Sequence, residues 1–73
     1  MRFIEIQEGD KRSLFQLTQM VNVFGDHEES VIIWVSIGEK CRSYRINELY
    51  DNVIHQISDP KQTIIKFSCL KES

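Results

Sequence analysis

The chain is poor in the residues that staple, punctuate or anchor a fold. Its 73 residues include two cysteines, one proline and three glycines. Two cysteines, Cys41 and Cys69, are too few for a secreted disulfide scaffold and too far apart for a CxxC redox or zinc pair. They read as reduced thiols used as small hydrophobes, adjacent in space only if their strands pair. The longest apolar run, residues 31–35, falls well short of the roughly 20 residues that cross a bilayer. The opening Met1-Arg2-Phe3-Ile4-Glu5 carries an acid at its fifth position and lacks the apolar stretch of a signal peptide. Neither sign of charge dominates: nine Lys+Arg stand against eleven Asp+Glu, a net −2. That balance excludes a chain-wide grip on nucleic acid or acidic membranes and leaves room only for a local patch. With 41% hydrophobic and 27% charged residues, the composition is that of an ordinary globular protein. The expectation is one soluble cytoplasmic domain over residues 1–73, with no membrane partner.

The residues that carry chemistry are equally sparse. His27 and His55 are the only histidines. His27 stands in the acidic run Asp26-His27-Glu28-Glu29, but adjacent side chains on a flexible loop cannot all turn inward to one ion. His55 falls on the polar side of a candidate helix and reads as solvated. Neither cysteine neighbours a histidine in sequence, and there is no glycine-rich phosphate loop, GxSxG elbow or HExxH pair. No catalytic, cofactor-binding or metal-binding residue is assigned, and the chain is expected not to be an enzyme.

What is present is hydrophobic periodicity. Residues 2–8 alternate as a half-buried strand with Ile4 and Ile6 on one face, and Gly9-Asp10-Lys11 reads as a hairpin turn. Residues 13–24 read as two short strand pieces with an irregular step near 18–20, a short helix over 14–21 being the poorer alternative. Residues 25–30 read as a polar, exposed loop. The run VIIWVSI at 31–37 is the strongest strand, and Gly38-Glu39-Lys40 turns into another at 41–46. A helix is predicted over 47–57, with Asn47 as N-cap and Leu49, Tyr50, Val53, Ile54 and Ile57 forming one stripe. Pro60 ends it, and residues 62–69 form a last strand with Ile65, Phe67 and Cys69 on one side. The order is β-β-β-β-α-β. The predicted class is α+β, with a small antiparallel sheet of four to five strands, open or curled to a partial barrel, and one helix packed on it.

One helix covers one face of a sheet, yet the 31–37 strand is apolar on both. Val31, Ile33, Val35 and Ile37 lie on one side and Ile32 and Trp34 on the other. A curled sheet, a second copy of the chain or a different protein would cover the second side. A chain this short has little surface to bury internally, which favours a homodimer. Ile32, Trp34 and Phe3 are the expected interface residues, with Leu14 and Ile64 also out of phase on their own strands. The alternative function is nucleic-acid binding by a basic-aromatic strand, Lys40, Arg42, Tyr44 and Arg45, with Trp34 on the neighbouring strand, in which bases would stack on the aromatic rings. Alternation places Arg45 opposite the other two bases, and these charges also read as guards of a sheet edge.

RFIEI at 2–6, QLTQMVNV at 16–23, VIIWVSIG at 31–38 and YRINELYDNVIHQI at 44–57 together form a strand-turn-strand-helix pattern. It resembles that of the FlbD-type flagellar proteins and of very small uncharacterised proteins from Gram-positive bacteria, their plasmids and phages. The 50–54 run, YDNVI, takes the place of their "YDEVI"-like segment. The Asn-Pro that FlbD-type proteins often carry before the apolar pair is replaced by Gln16-Leu17-Thr18-Gln19, and the strand after Pro60 is additional. The resemblance implies a small accessory or regulatory protein without catalysis and transfers no functional residue.

Overall fold

Gly9 and Gly38 both adopt a φ of 62°, and each opens a two-residue hairpin loop. Positive φ at the first loop position suits the twist of the flanking strands and is cheap only for glycine. The computed structural model of the chain describes residues 1–27 and 29–69. Within them β1 (Phe3–Glu8) and β2 (Lys11–Gln16) form the hairpin at Gly9, while β4 (Ser30–Ile37) and β5 (Lys40–Ile46) form the hairpin at Gly38. Between the hairpins runs β3 (Met20–His27), and after β5 come α1 (Tyr50–Ser58) and β6 (Ile64–Ser68). Strand makes up most of this structure and α1 is its one α-helix.

The strands form two three-stranded sheets rather than one. The first has the order β2-β1-β6 and the second β3-β4-β5. The transfer between them is the irregular step expected near 18–20, a 3₁₀ turn over Leu17–Gln19. Gln19 holds it from both sides: its Oε1 accepts from the Gln16 N–H at 2.8 Å and its Nε2 donates to the Ser36 carbonyl at 3.1 Å. The turn converts the expected four-strand prefix into five strands, so the order is β-β-β-β-β-α-β. All pairings are antiparallel except one, because β6 runs parallel to β1 with Phe3 opposite Ile64 and Ile6 opposite Phe67. No barrel forms. The sheets meet at one corner through a single bridge between Ile46 and Cys69, beside which the Asn47 N–H donates to the Ser68 carbonyl at 3.1 Å.

The inward faces enclose one core. Ile4, Ile6, Ile65 and Phe67 come from the first sheet, Val31, Ile33, Val35, Tyr44 and Ile46 from the second, and Val53 from the helix. The helix begins three residues later than the predicted start at Asn47. Asn47 is held in the β5–β6 junction, so Leu49 is the N-cap residue and Leu49 and Tyr50 remain exposed. Val53 alone is fully buried, with Ile57 packed against the core's edge. The expected polar loop at 25–30 is also mostly strand: β3 runs to His27 and β4 starts at Ser30, which is buried. Glu28 and the side chain of His27 lie outside the described residues.

Arg2, unremarked in the sequence, ties the chain's beginning to its end. Its guanidinium donates to the carbonyls of Ile57 (2.6 Å), Asp59 (2.7 Å), Gln62 (2.9 Å) and Gln56 (3.2 Å). A cation at a helix C-terminus satisfies the orphan carbonyls and opposes the negative end of the helix dipole. The same contacts fix the 59–62 loop that delivers β6 alongside β1.

Candidate functional site

The two-sided strand behaves as its sequence requires. Val31, Ile33 and Val35 are completely buried against the first sheet and helix, and Ile32 and Trp34 alternate onto the outer face of the second sheet. There Ile32 lies between Phe24 and Arg45, and Trp34 between Asn22 and Ser43. Ile32 and Trp34 are half-buried by these neighbours, and Phe24 is 39% exposed. A bulge at Val21 resets the phase of β3, which is why Val23 points to the core and Phe24 outward beside Ile32. Periodicity within residues 20–27 sets no register against β4, so it is the observed pairing that brings Phe24 to this patch. The patch is bordered by an Arg45–Asp26 ion pair at 2.9 Å.

Phe3 does not join it. On β1 Phe3 alternates with the buried Ile4 and Ile6, so it lies on the outer face of the first sheet, the opposite side of the sandwich. It sits there between Gln16 and Ile64, and Leu14 shares that face across β1. Leu14 is 57% and Ile64 49% exposed. The single patch expected from Ile32, Trp34 and Phe3 is therefore two patches facing opposite ways. Nor does curling cover Ile32 and Trp34, since the two sheets stay open.

The basic strand is also rearranged. Tyr44 is 3% exposed and belongs to the core, its ring 6.0 Å from that of Phe15. Arg42 lies over the outer side of the Tyr44 ring at 4.6 Å and donates to Glu8 of the first sheet at 2.8 and 3.1 Å. Arg45 faces the other way, to Asp26. Lys40 is exposed at the start of β5. The four residues thus offer no free aromatic face beside converging cations, and a base has nothing on β5 to stack on.

Cys69 lies near the same Glu8–Arg42 pair. Burial, and then the Glu8 carboxylate, push its thiol above the usual value of 9.0, with Arg42 opposing them. A thiol held protonated is a poor nucleophile. Cys69 is bridged to Ile46, five residues along β5 from Cys41, so roughly 16 Å of strand separates the two sulfur-bearing positions. That exceeds the reach of a disulfide.

An open depression of about 310 Å³ is lined by Met1, Arg2, Gln16, Leu17 and Thr18. Its one charged side chain, Arg2, is committed to four carbonyls. Among the described residues no three His, Cys, Asp or Glu side chains are grouped so as to hold a metal ion. No helix among them is long and apolar enough to cross a membrane.

No protein-family model, curated protein or solved structure matches the chain.

Proposed function

We propose that the chain is a non-enzymatic, cytoplasmic accessory protein that acts by binding protein, and that it binds first of all to itself, as a homodimer at its smallest. The observation that carries this reading is the outer face of the second sheet. Phe24, Ile32 and Trp34 form an apolar stripe on the side of β4 away from the core. Covering a large apolar side chain contributes about 1.5–3 kcal/mol when burial is complete, so two half-buried residues and one exposed one offer several kcal/mol before association costs. Arg45 and Asp26 at the border already satisfy one another, so no unpaired charge there is desolvated on contact. A small accessory role also agrees with the resemblance to FlbD-type proteins. The nucleic-acid alternative is disfavoured by the buried ring of Tyr44 and by the split of the bases, which leaves Trp34 sharing its face with Arg45 alone, itself paired with Asp26.

The test is molar mass by light scattering after size exclusion, at high micromolar concentration, for wild type, Trp34→Ala and Ile32→Thr. Wild type is expected at twice the mass of 8.6 kDa or above, with both variants shifted toward monomer and circular dichroism unchanged. A monomeric wild type sinks the proposal. Salt-dependent binding of an oligonucleotide by that monomer would restore the alternative.

A further inference from the structure

Four strands stand at sheet edges, β2 and β6 in the first sheet and β3 and β5 in the second. Three of them carry bases: Lys11 and Arg12 on β2, Lys40, Arg42 and Arg45 on β5, and Lys66 on β6. A charged side chain on an edge discourages a further strand from pairing there. β3 has neither lysine nor arginine. Its ladder to β4 is regular from Asn22 to Gly25, between two register shifts. The two-residue hairpin loop makes Ile37 and Lys40 a mutually hydrogen-bonded pair, and alternation from it turns the backbone of Ile32 and Trp34 toward β3. Their partners Phe24 and Asn22 face β4, so Val23 and Gly25 each direct an N–H and a C=O out of the sheet. Phe24 and Gly25 are exposed, and the edge is open to solvent.

The surroundings of that edge are acidic. The sequence has no lysine or arginine between Arg12 and Lys40, or between Ile46 and Lys61, which leaves β3, β4 and α1 without one. Tyr50, the first residue of α1, packs beside Gly25, within 3.6 Å of where a β-carbon on that glycine would stand. The contact brings Glu48 and the exposed Asp51 to the same end of β3 as Asp26 and Glu29. Arg45 pairs with Asp26, and among the described residues none of the other three acids has an ion-pair partner. We infer that the free edge of β3 takes up an extended basic segment of another protein as a fourth strand of the second sheet. The backbone groups of Val23 and Gly25 supply the hydrogen bonds, and alternate side chains of the added strand lie beside Tyr50 on one face and Phe24 on the other. Glu29, Glu48 and Asp51 select lysine or arginine in that segment over aspartate or glutamate. The regular stretch of β3 is short and shifts register at both ends, which a flexible segment follows more readily than the rigid edge strand of a second copy. This edge adds a second surface to the proposed protein-binding role, and its occupation does not require the homodimer.

The probe is a capped peptide of about eight residues, valine alternating with threonine between terminal lysines, and its counterpart with glutamate for lysine. Each is titrated into the whole chain at low ionic strength, to about 1 mM, the range that a few net hydrogen bonds support. Amide hydrogen exchange is read residue by residue. The lysine peptide is expected to slow exchange at Val23 and Gly25, and the glutamate peptide to bind about tenfold more weakly or worse. The double variant Glu48→Gln/Asp51→Asn removes two charges and keeps an acceptor for Asn52 at position 48. It is expected to weaken the lysine peptide about three- to tenfold at low ionic strength and less at high salt. Three results overturn the inference. Binding without protection at Val23 and Gly25 means a charge contact that leaves the edge empty. Equal binding of the two peptides removes the selection by acids, and no binding of either removes the docking edge. Protection at the same amides that rises with protein concentration in the absence of peptide means that a second copy occupies the edge.

Discussion

In the second sheet every pairing joins consecutive strands, β3 to β4 and β4 to β5, across hairpins. In the first, the central strand β1 pairs on one side with its sequence neighbour β2 and on the other with β6, which arrives from the far end of the chain. The sheets donate similar side chains to the core, and Ile33 and Ile65 are both completely buried. What differs is how the register is held. The second sheet is defined by short loops, in one of which Gly38 supplies the positive φ. The first depends on a long-range closure, for which the Arg2 guanidinium, the Ile46–Cys69 bridge and the Cys69 N–H donated to the Gln7 carbonyl at 2.8 Å are the fastenings. Closing a long loop costs more chain entropy than closing a hairpin, so β6 should be the first strand to open.

The largest expected effects are in the core. Ile33→Ala and Ile65→Ala should each cost about 2–5 kcal/mol, a large share of the total stability of a domain this size. They should fail differently. Ile33→Ala removes the centre shared by all three strands of the second sheet and unfolds the protein globally. Ile65→Ala loosens β6 first, seen by hydrogen exchange as lost amide protection in β6 while β4 stays protected. Equal loss in both strands would contradict the distinction.

Arg2→Leu comes next. It removes a cation and four donated hydrogen bonds from carbonyls at the end of α1 and in the loop beyond, an expected cost of about 2–3 kcal/mol by urea unfolding. Exchange should rise in α1 and β6 with little change in β3. A loss below about 0.5 kcal/mol would mean that water replaces the guanidinium without penalty.

The smallest effect concerns Cys69. Its folded pKa is raised, chiefly by burial, so the protonated thiol is the form the fold favours. As pH rises past 9.0 the unfolded thiol ionises before the folded one, and stability falls; below that value the group is neutral in both states and contributes no slope. Urea unfolding at pH 7 and pH 10 should therefore show a slightly larger alkaline loss for wild type than for Cys69→Ala. Under iodoacetamide at pH 8, the exposed Cys41 should be alkylated before the half-buried Cys69. The reverse order would place Cys69 in a different environment.

Sequence patterning made the second sheet legible and the first only in pieces. Alternation in residues 31–37 identified both the core side and the outward Ile32 and Trp34, because period two leaves no other arrangement for an extended run. Gly38 marked its turn for the same local reason. Periodicity says which residues share a face of one strand but not which strands share a sheet. Phe3 and Trp34 therefore look alike in their own strands although they belong to opposite layers, and the parallel partnership of β6 with β1 leaves no local trace. Asn47 has the chemistry of an N-cap, but the β5–β6 junction takes its backbone and delays the helix. Alternation in 41–46 puts Tyr44 on one apolar face with Ile46, and both are buried; what it does not show is that Phe15 of the first sheet covers the ring and so removes it as a stacking surface. Arg2 carries no pattern at all, since its acceptors lie more than fifty positions away.

Trp34 is the only tryptophan in the chain and stands at the centre of the proposed contact, so its fluorescence reports the central claim directly. Emission would be recorded from high micromolar concentration down to the nanomolar range. Association through the second sheet's outer face requires a blue-shifted maximum at high concentration that moves to the red on dilution, in step with the fall in mass. A maximum that stays fixed while the mass changes would place the contact elsewhere on the molecule, and a fixed maximum with an unchanging monomer mass would contradict self-association altogether.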